Sequence, residues 1–141
     1  MAELNIAATK TTPAVHYRPE GPSFRVSGTS VPENTSAFYA PIMAWLHANL
    51  ADLPEDCTFE FSLPYFNSSS LKAIYLLLLE VKNGVLHGKR FSVVWHIEEG
   101  DEFMIEAADT FRELTGMAIE LRTGLLESGC GQSAQGQDKA A

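Results

Sequence analysis

No cluster of Lys and Arg occurs anywhere in the chain, and basic residues are scarce: 10 against 18 acids, a formal net charge of -8. That balance excludes nucleic acid and an anionic membrane surface as main partners, because both are recognised through basic patches. Long apolar runs are missing too. The most apolar stretch, AIYLLLLEV (73–81), is far too short to span a bilayer. The opening MAELNIAATKTTPAVHY lacks the apolar segment of a secretory signal. The expectation is a soluble, cytoplasmic protein with no nucleic acid and no membrane among its partners. Cysteine is rare: Cys57 and Cys130 lie apart, without metal-ligand spacing, and are expected as reduced thiols. NTS at Asn34 and NSS at Asn67 match glycosylation sequons but mean nothing in a cytosolic chain. Of His16, His47, His87 and His96, no two fall four apart on one helix and none neighbours a cysteine, so no metal is expected. No Gly-rich phosphate loop occurs, and no cofactor is expected.

What the chain does have is enough for one core. Its 141 residues suit a single domain, and 45% of them are hydrophobic. AVHYRPEGPSFRVSG reads as two strands about the RPEGP turn, with Phe24 and Val26 alternating against Arg25 and Ser27. In VPENTSAFYAPIMAWLHANL, Phe38, Ile42, Trp45, Leu46 and Asn49/Leu50 mark one helix face, with Pro41 in its first turn or at a kink. CTFEFSLPY alternates as a strand. The helix from Ser68 to about Lys82 is apolar almost all round and must pack on more than one side, with NGVLHGK ending it. FSVVWHI is a second central strand, where His96 reads as a half-buried histidine opposite Trp95. EEGDEFMIEAADTFRELTG is a helix with Met104, Ile105, Ala108, Phe111 and Leu114 inward and Gly116 as its stop, and MAIELR is a last strand. The order β-β-α-β-α-β-α-β implies a single α/β domain, residues 1–126, with a mostly parallel or mixed sheet of about 4–5 strands under covering helices. Residues 127–141 read as a disordered tail.

Three hydroxyls stand at the mouth of the most apolar helix, in YFNSSSLKAI (65–74). Ser68, Ser69 or Ser70 can serve as an N-cap, and one cap needs one serine. A phosphorylated serine there would meet unpaired backbone N-H groups and the positive end of the helix dipole. Two enzymatic readings compete with that switch. Ser69 and Lys72 fit an S-x-x-K nucleophile and base, but no S-D-N or K-T-G accompanies them. The acids Glu98, Glu99, Asp101, Glu102, Glu106 and Asp109 could do acid–base or metal chemistry, although a solvated helix face accounts for them as well.

Several segments, in order, resemble the SiaC-type bacterial regulatory phosphoproteins over roughly residues 6–122. YFNSSSLKAI is similar to that family's Y-F/L-N-T-S-S-x-K signature, GTSVPENTSAFYAPIMAWL to its G-E-S-x-P-E-N segment, and VVWHIEEGDEFMIEAADTFREL to its strand-loop-helix. The resemblance implies a STAS-like fold and partner switching in the manner of anti-sigma-factor antagonists. It implies no catalysis by the chain itself. A dedicated protein kinase modifies the residue after the motif asparagine, a PP2C-type phosphatase reverses it, and the unmodified form activates a GGDEF-type diguanylate cyclase, promoting aggregation and biofilm formation. By position, Asn67 is the motif asparagine and Ser68 the phosphoacceptor. Tyr65, Phe66, Ser69, Ser70 and Lys72 complete the motif and partner contact, and Ser69 or Ser70 is left to cap the helix. Ser68 departs from the family's usual threonine. Ala108 and Thr110 replace a glycine and an aspartate on a helix expected to lie away from the serines.

Overall fold

The computed structural model describes residues 3–126; Cys130 and the expected tail at 127–141 lie outside the described residues. Six strands form one mixed sheet in strictly sequential order: β1 Asn5–Ile6, β2 Ala14–Arg18, β3 Ser23–Ser27, β4 Thr58–Ser62, β5 Ser92–Ile97 and β6 Glu120–Thr123. The first two pairings are antiparallel and the last three parallel. Each parallel step is bridged by a helix: α1 Thr35–Asn49, α2 Ser68–Leu86 and α3 Glu102–Thr115. Crossovers of one hand that all step the same way put their helices on one sheet face. Accordingly α2 lies between α1 and α3. Its Ile74, Leu77, Leu78 and Val81 join Phe24, Phe59, Phe61 and Trp95 of the sheet in one core. Alternation along the strands sends Arg25, Glu60 and Val94 to the other face.

The sheet has six strands rather than 4–5. The extra one, β1, has two residues and therefore no alternation to read. Of the two placements expected for Pro41, the first turn is not the one found: it sits in the second turn of α1, where its missing N-H removes one bond of the helix ladder. The α2 helix runs past Lys82 to Leu86, through Gly84. That glycine does not end the helix; it admits the Phe91 ring, whose Cε2 would clash with an added Cβ. Gly88, at φ +101°, makes the turn beyond the helix end instead. On α3 the inward residues are Met104, Ala107, Ala108, Phe111 and Thr115, with Gly116 left-handed at its end, whereas Leu114 is exposed. Cys57 is fully buried, and burial first, then Asp56, pushes its thiol up to about 12. His96 is more enclosed than expected: its Nε2 lies 2.9 Å from Glu60 Oε1, and Arg25 Nε donates to Glu60 Oε2 at 3.0 Å.

Candidate functional site

The site forms where β4 gives way to α2. Phe66 is buried and pairs with Ser30 in a parallel bridge. Ser30 N-H donates to Tyr65 O at 3.0 Å, and Asn67 N-H donates to Ser30 O at 3.2 Å. The loop before α2 is thus fastened to the loop before α1. Phe66 also meets the Trp95 ring edge-on at 6.4 Å and Phe103 at 5.8 Å. The first turn of α3 therefore reaches the lip, contrary to the expectation that this helix lies away from it.

Asn67, and no serine, caps α2: its Oδ1 accepts from Ser70 N-H at 3.0 Å. A short amide in extended backbone reaches that third amide of the helix better than a serine already inside the first turn can. Asn34 caps α1 in the same way, accepting from Ala37 N-H at 3.0 Å. Both asparagines of the sequon-like tripeptides are helix caps, and the hydroxyls that follow them meet across the gap. Thr35 Oγ1 and Ser69 Oγ are 2.6 Å apart.

The three serines fall into three environments. Ser70 is fully buried and donates to Ser30 O at 2.9 Å. Ser30 Oγ lies 2.8 Å from Ser70 Oγ and 2.6 Å from the Tyr39 hydroxyl. One proton order satisfies them all: Tyr39 donates to Ser30, Ser30 to Ser70, and Ser70 to the Ser30 carbonyl. Burial raises the Tyr39 phenol above its usual range, against the opposing pull of the Ser30 and Ser70 hydroxyls, so the network stays neutral. Ser69 is exposed and donates to Asn67 Oδ1 at 3.1 Å while Thr35 holds its oxygen. Ser68 is exposed, and its hydroxyl bonds to no described residue.

Tyr65 is exposed, as is Lys72 one turn into α2; Phe66 and Ser70 lie beneath the lip and fix it from inside. Beside the lip an open groove of about 380 Å³ runs between α1 and α2, lined by Tyr39, Ala40, Met43, Lys72, Ala73 and Leu76 among others. The Ser69–Lys72 enzyme reading needs a nucleophile–base hydrogen bond, but Ser69 is bonded to Thr35 and Asn67 instead. In the acidic stretch, Asp101 caps α3 by accepting from Met104 N-H at 3.1 Å, and no group of three ligands is placed to hold a metal among the described residues. Nor is any described helix long and apolar enough to cross a membrane.

The model of the SiaC family of regulatory phosphoproteins matches residues 6–123. The chain belongs to the SiaC family. An uncharacterized protein of Pseudomonas aeruginosa (strain UCBPP-PA14) is 30% identical over 113 residues, 80% of this chain and 90% of its own length. The fold agrees with solved SiaC structures. SiaC of Pseudomonas aeruginosa superposes with a TM-score of 0.78 at 27% identity, over 88% of this chain and 100% of that one. SiaC in the crystal structure of the diguanylate cyclase SiaD in complex with its activator SiaC, from the same organism, gives 0.77 at 27% identity, over 86% and 99%.

Sequence reasoning missed Ser30, Thr35, Tyr39 and Phe103 as parts of this SiaC-family lip. The signal for Thr35 was present: N-T-S at 34–36 repeats the N-S-S at 67–69. Ser30, Tyr39 and Phe103 have no such local mark, because they join the lip only through the packing of α1 and α3 around it.

Proposed function

We propose that this chain is a non-enzymatic, phosphorylation-controlled partner switch acting in the cytoplasm. With Ser68 unmodified it binds and activates a GGDEF-type diguanylate cyclase, raising cyclic-di-GMP and favouring aggregation and biofilm formation. A dedicated protein kinase phosphorylates Ser68 and a PP2C-type phosphatase restores it. The observation that carries this reading is the separation of the three serines: Ser70 is enclosed, Ser69 is bonded on both sides, and Ser68 stands exposed without a side-chain partner among the described residues. The likeness to the SiaC that activates SiaD supports the choice of partner.

Physical chemistry supports a local switch. Phosphate adds about -1.5 to -2 charges and three acceptor oxygens, and the first turn of a helix tolerates both. The cyclase is read as covering the exposed Tyr65 and the groove between α1 and α2, so the charge enters a surface that must be desolvated. No unfolding is needed, because the fully buried Ile74, Leu77 and Leu78 hold α2 in the core. The test is intact mass after incubation with the switch kinase and Mg-ATP, followed by cyclase binding. One phosphate on the wild type, none on Ser68→Ala, and binding by the unmodified form alone are expected. Stoichiometric phosphate on Ser68→Ala would move the acceptor elsewhere.

A further inference from the structure

Ser68 and Ser69 are adjacent, both exposed and both serine, so a kinase that reaches one reaches the other. We propose that Thr35, from the first turn of α1, is the residue that restricts phosphorylation to Ser68. The inference rests on the reading of Ser68 as acceptor and adds the group that makes the choice.

A serine hydroxyl has one proton and two lone pairs. To attack the γ-phosphorus of ATP, its oxygen must present a lone pair to phosphorus and release its proton to a base of the kinase. The new bond is O–P, the broken bond is the one from phosphorus to the ADP oxygen, and ADP leaves. At Ser69 both requirements are obstructed. Its proton is committed to Asn67 Oδ1 at 3.1 Å. With that proton on Asn67, the Thr35 hydroxyl, 2.6 Å away, donates to Ser69 Oγ; it occupies one of the two lone pairs, makes the oxygen a poorer nucleophile and fixes where the other lone pair points. Asn67 is itself fixed by Ser70 N-H at 3.0 Å, and Asn34 fixes the first turn that carries Thr35. Both ends of the clamp thus stand on capped helix starts. Ser68, one residue earlier, meets no such hold among the described residues.

Thr35 is a positioning residue, and its role differs from that of the cap. Loss of a cap loosens the helix start as a whole, whereas loss of the Thr35 hydroxyl frees one nucleophile and leaves Asn67 bonded to Ser70. A merely structural role for Thr35 would change phosphorylation rates without changing which serine is modified.

The experiment maps phosphosites by mass spectrometry on the full chain after incubation with the switch kinase and Mg-ATP, in five forms: wild type, Ser68→Ala, Thr35→Val, and Ser68→Ala combined with Thr35→Val or with Thr35→Ser. Circular dichroism establishes folding, and Thr35→Ala replaces Thr35→Val should the latter not fold. Wild type is expected to carry phosphate on Ser68 alone, and Ser68→Ala to carry almost none. With Thr35→Val added, Ser69 labelling should rise about tenfold over Ser68→Ala, the effect of one hydrogen bond on a rate. Thr35→Ser, which keeps a hydroxyl, should hold labelling at the Ser68→Ala level. Labelling of wild type at Ser68 with no rise at Ser69 in either Thr35→Val form would overturn the role of Thr35 and leave Ser68 standing. Wild type that takes no phosphate, or takes it on Ser69, would overturn both.

Discussion

The N-termini of α2 and α3 are built to opposite electrostatic plans. The α3 helix is capped by a carboxylate, Asp101, has Glu102 in its first turn, and follows Glu98 and Glu99. The α2 helix is capped by an amide, Asn67, has no acid in its first turn, and opens with three hydroxyls. A chain with 18 acids has thus satisfied one helix dipole with its own charge and left the other to neutral groups. Two side-chain networks repeat the contrast. The Tyr39–Ser30–Ser70 network is neutral, while the Arg25–Glu60–His96 network, reached from the other sheet face, is ionic. A helix start with its own carboxylates would repel an added phosphate; one with amide and hydroxyl groups can gain and lose that charge without rearranging.

Placing one aspartate at successive positions breaks or sharpens the comparison. Ser70→Asp buries a carboxylate among hydroxyls whose protons are already committed, and should cost about 3–5 kcal/mol in urea unfolding, or prevent folding. A loss under about 1 kcal/mol would mean that water enters the network and that the three serines are not distinct. Glu60→Gln tests the ionic network. Burial pushes the Glu60 carboxyl up, but hydrogen bonding from His96 and the charge and hydrogen bond of Arg25 together hold it below the usual range. A lowered folded-state pKa stabilises above the ordinary carboxylate range, and that contribution is lost as pH falls through the lowered value. Glu60→Gln should therefore cost about 1.5–3 kcal/mol at neutral pH and flatten the loss of stability on acidification. An unchanged acid limb in thermal melts would remove Glu60 from the account.

The two caps offer a closer pairing. Asn67→Ala and Asp101→Ala should each cost about 1 kcal/mol. Only Asn67→Ala should also alter phosphate incorporation, since it alone releases Ser69; equal incorporation in both variants would contradict that. The smallest effect belongs to Ser68→Asp. Supplying α2 with the acid it lacks should leave stability unchanged or raise it by about 0.3–1 kcal/mol, while weakening cyclase binding. A fall of more than about 1 kcal/mol would mean that the lip does not accept negative charge.

Much of this was legible in the chain. Alternation in FEFSL located one central strand and SVVWHI read as the other, and α2, apolar almost all round, had to pack on more than one side, as it does between α1 and α3. The illegible parts share a physical cause: they depend on contacts between segments distant in sequence. NGVLHGK holds two glycines, and only the packing of Phe91 against Gly84 tells which one lies inside the helix and that Gly88 turns the chain beyond it. Leu114 fits the apolar period of α3, yet that helix places Thr115 inward and turns Leu114 to the surface. Ser68, Ser69 and Ser70 look interchangeable along the chain and become three different groups only once Ser30, Thr35 and Tyr39 arrive from 30 or more positions away.

The central claim is that neutral Ser68 presents the activating surface and that phosphate there withdraws it. The most direct test mixes the GGDEF-type cyclase with GTP and either unmodified protein or protein phosphorylated to one phosphate per chain at Ser68, and follows cyclic-di-GMP. The account predicts stimulation by the unmodified protein, little by the phosphorylated one, and recovery after treatment with the PP2C-type phosphatase. Equal stimulation by both forms, with Ser68 occupancy confirmed by mass, would contradict it.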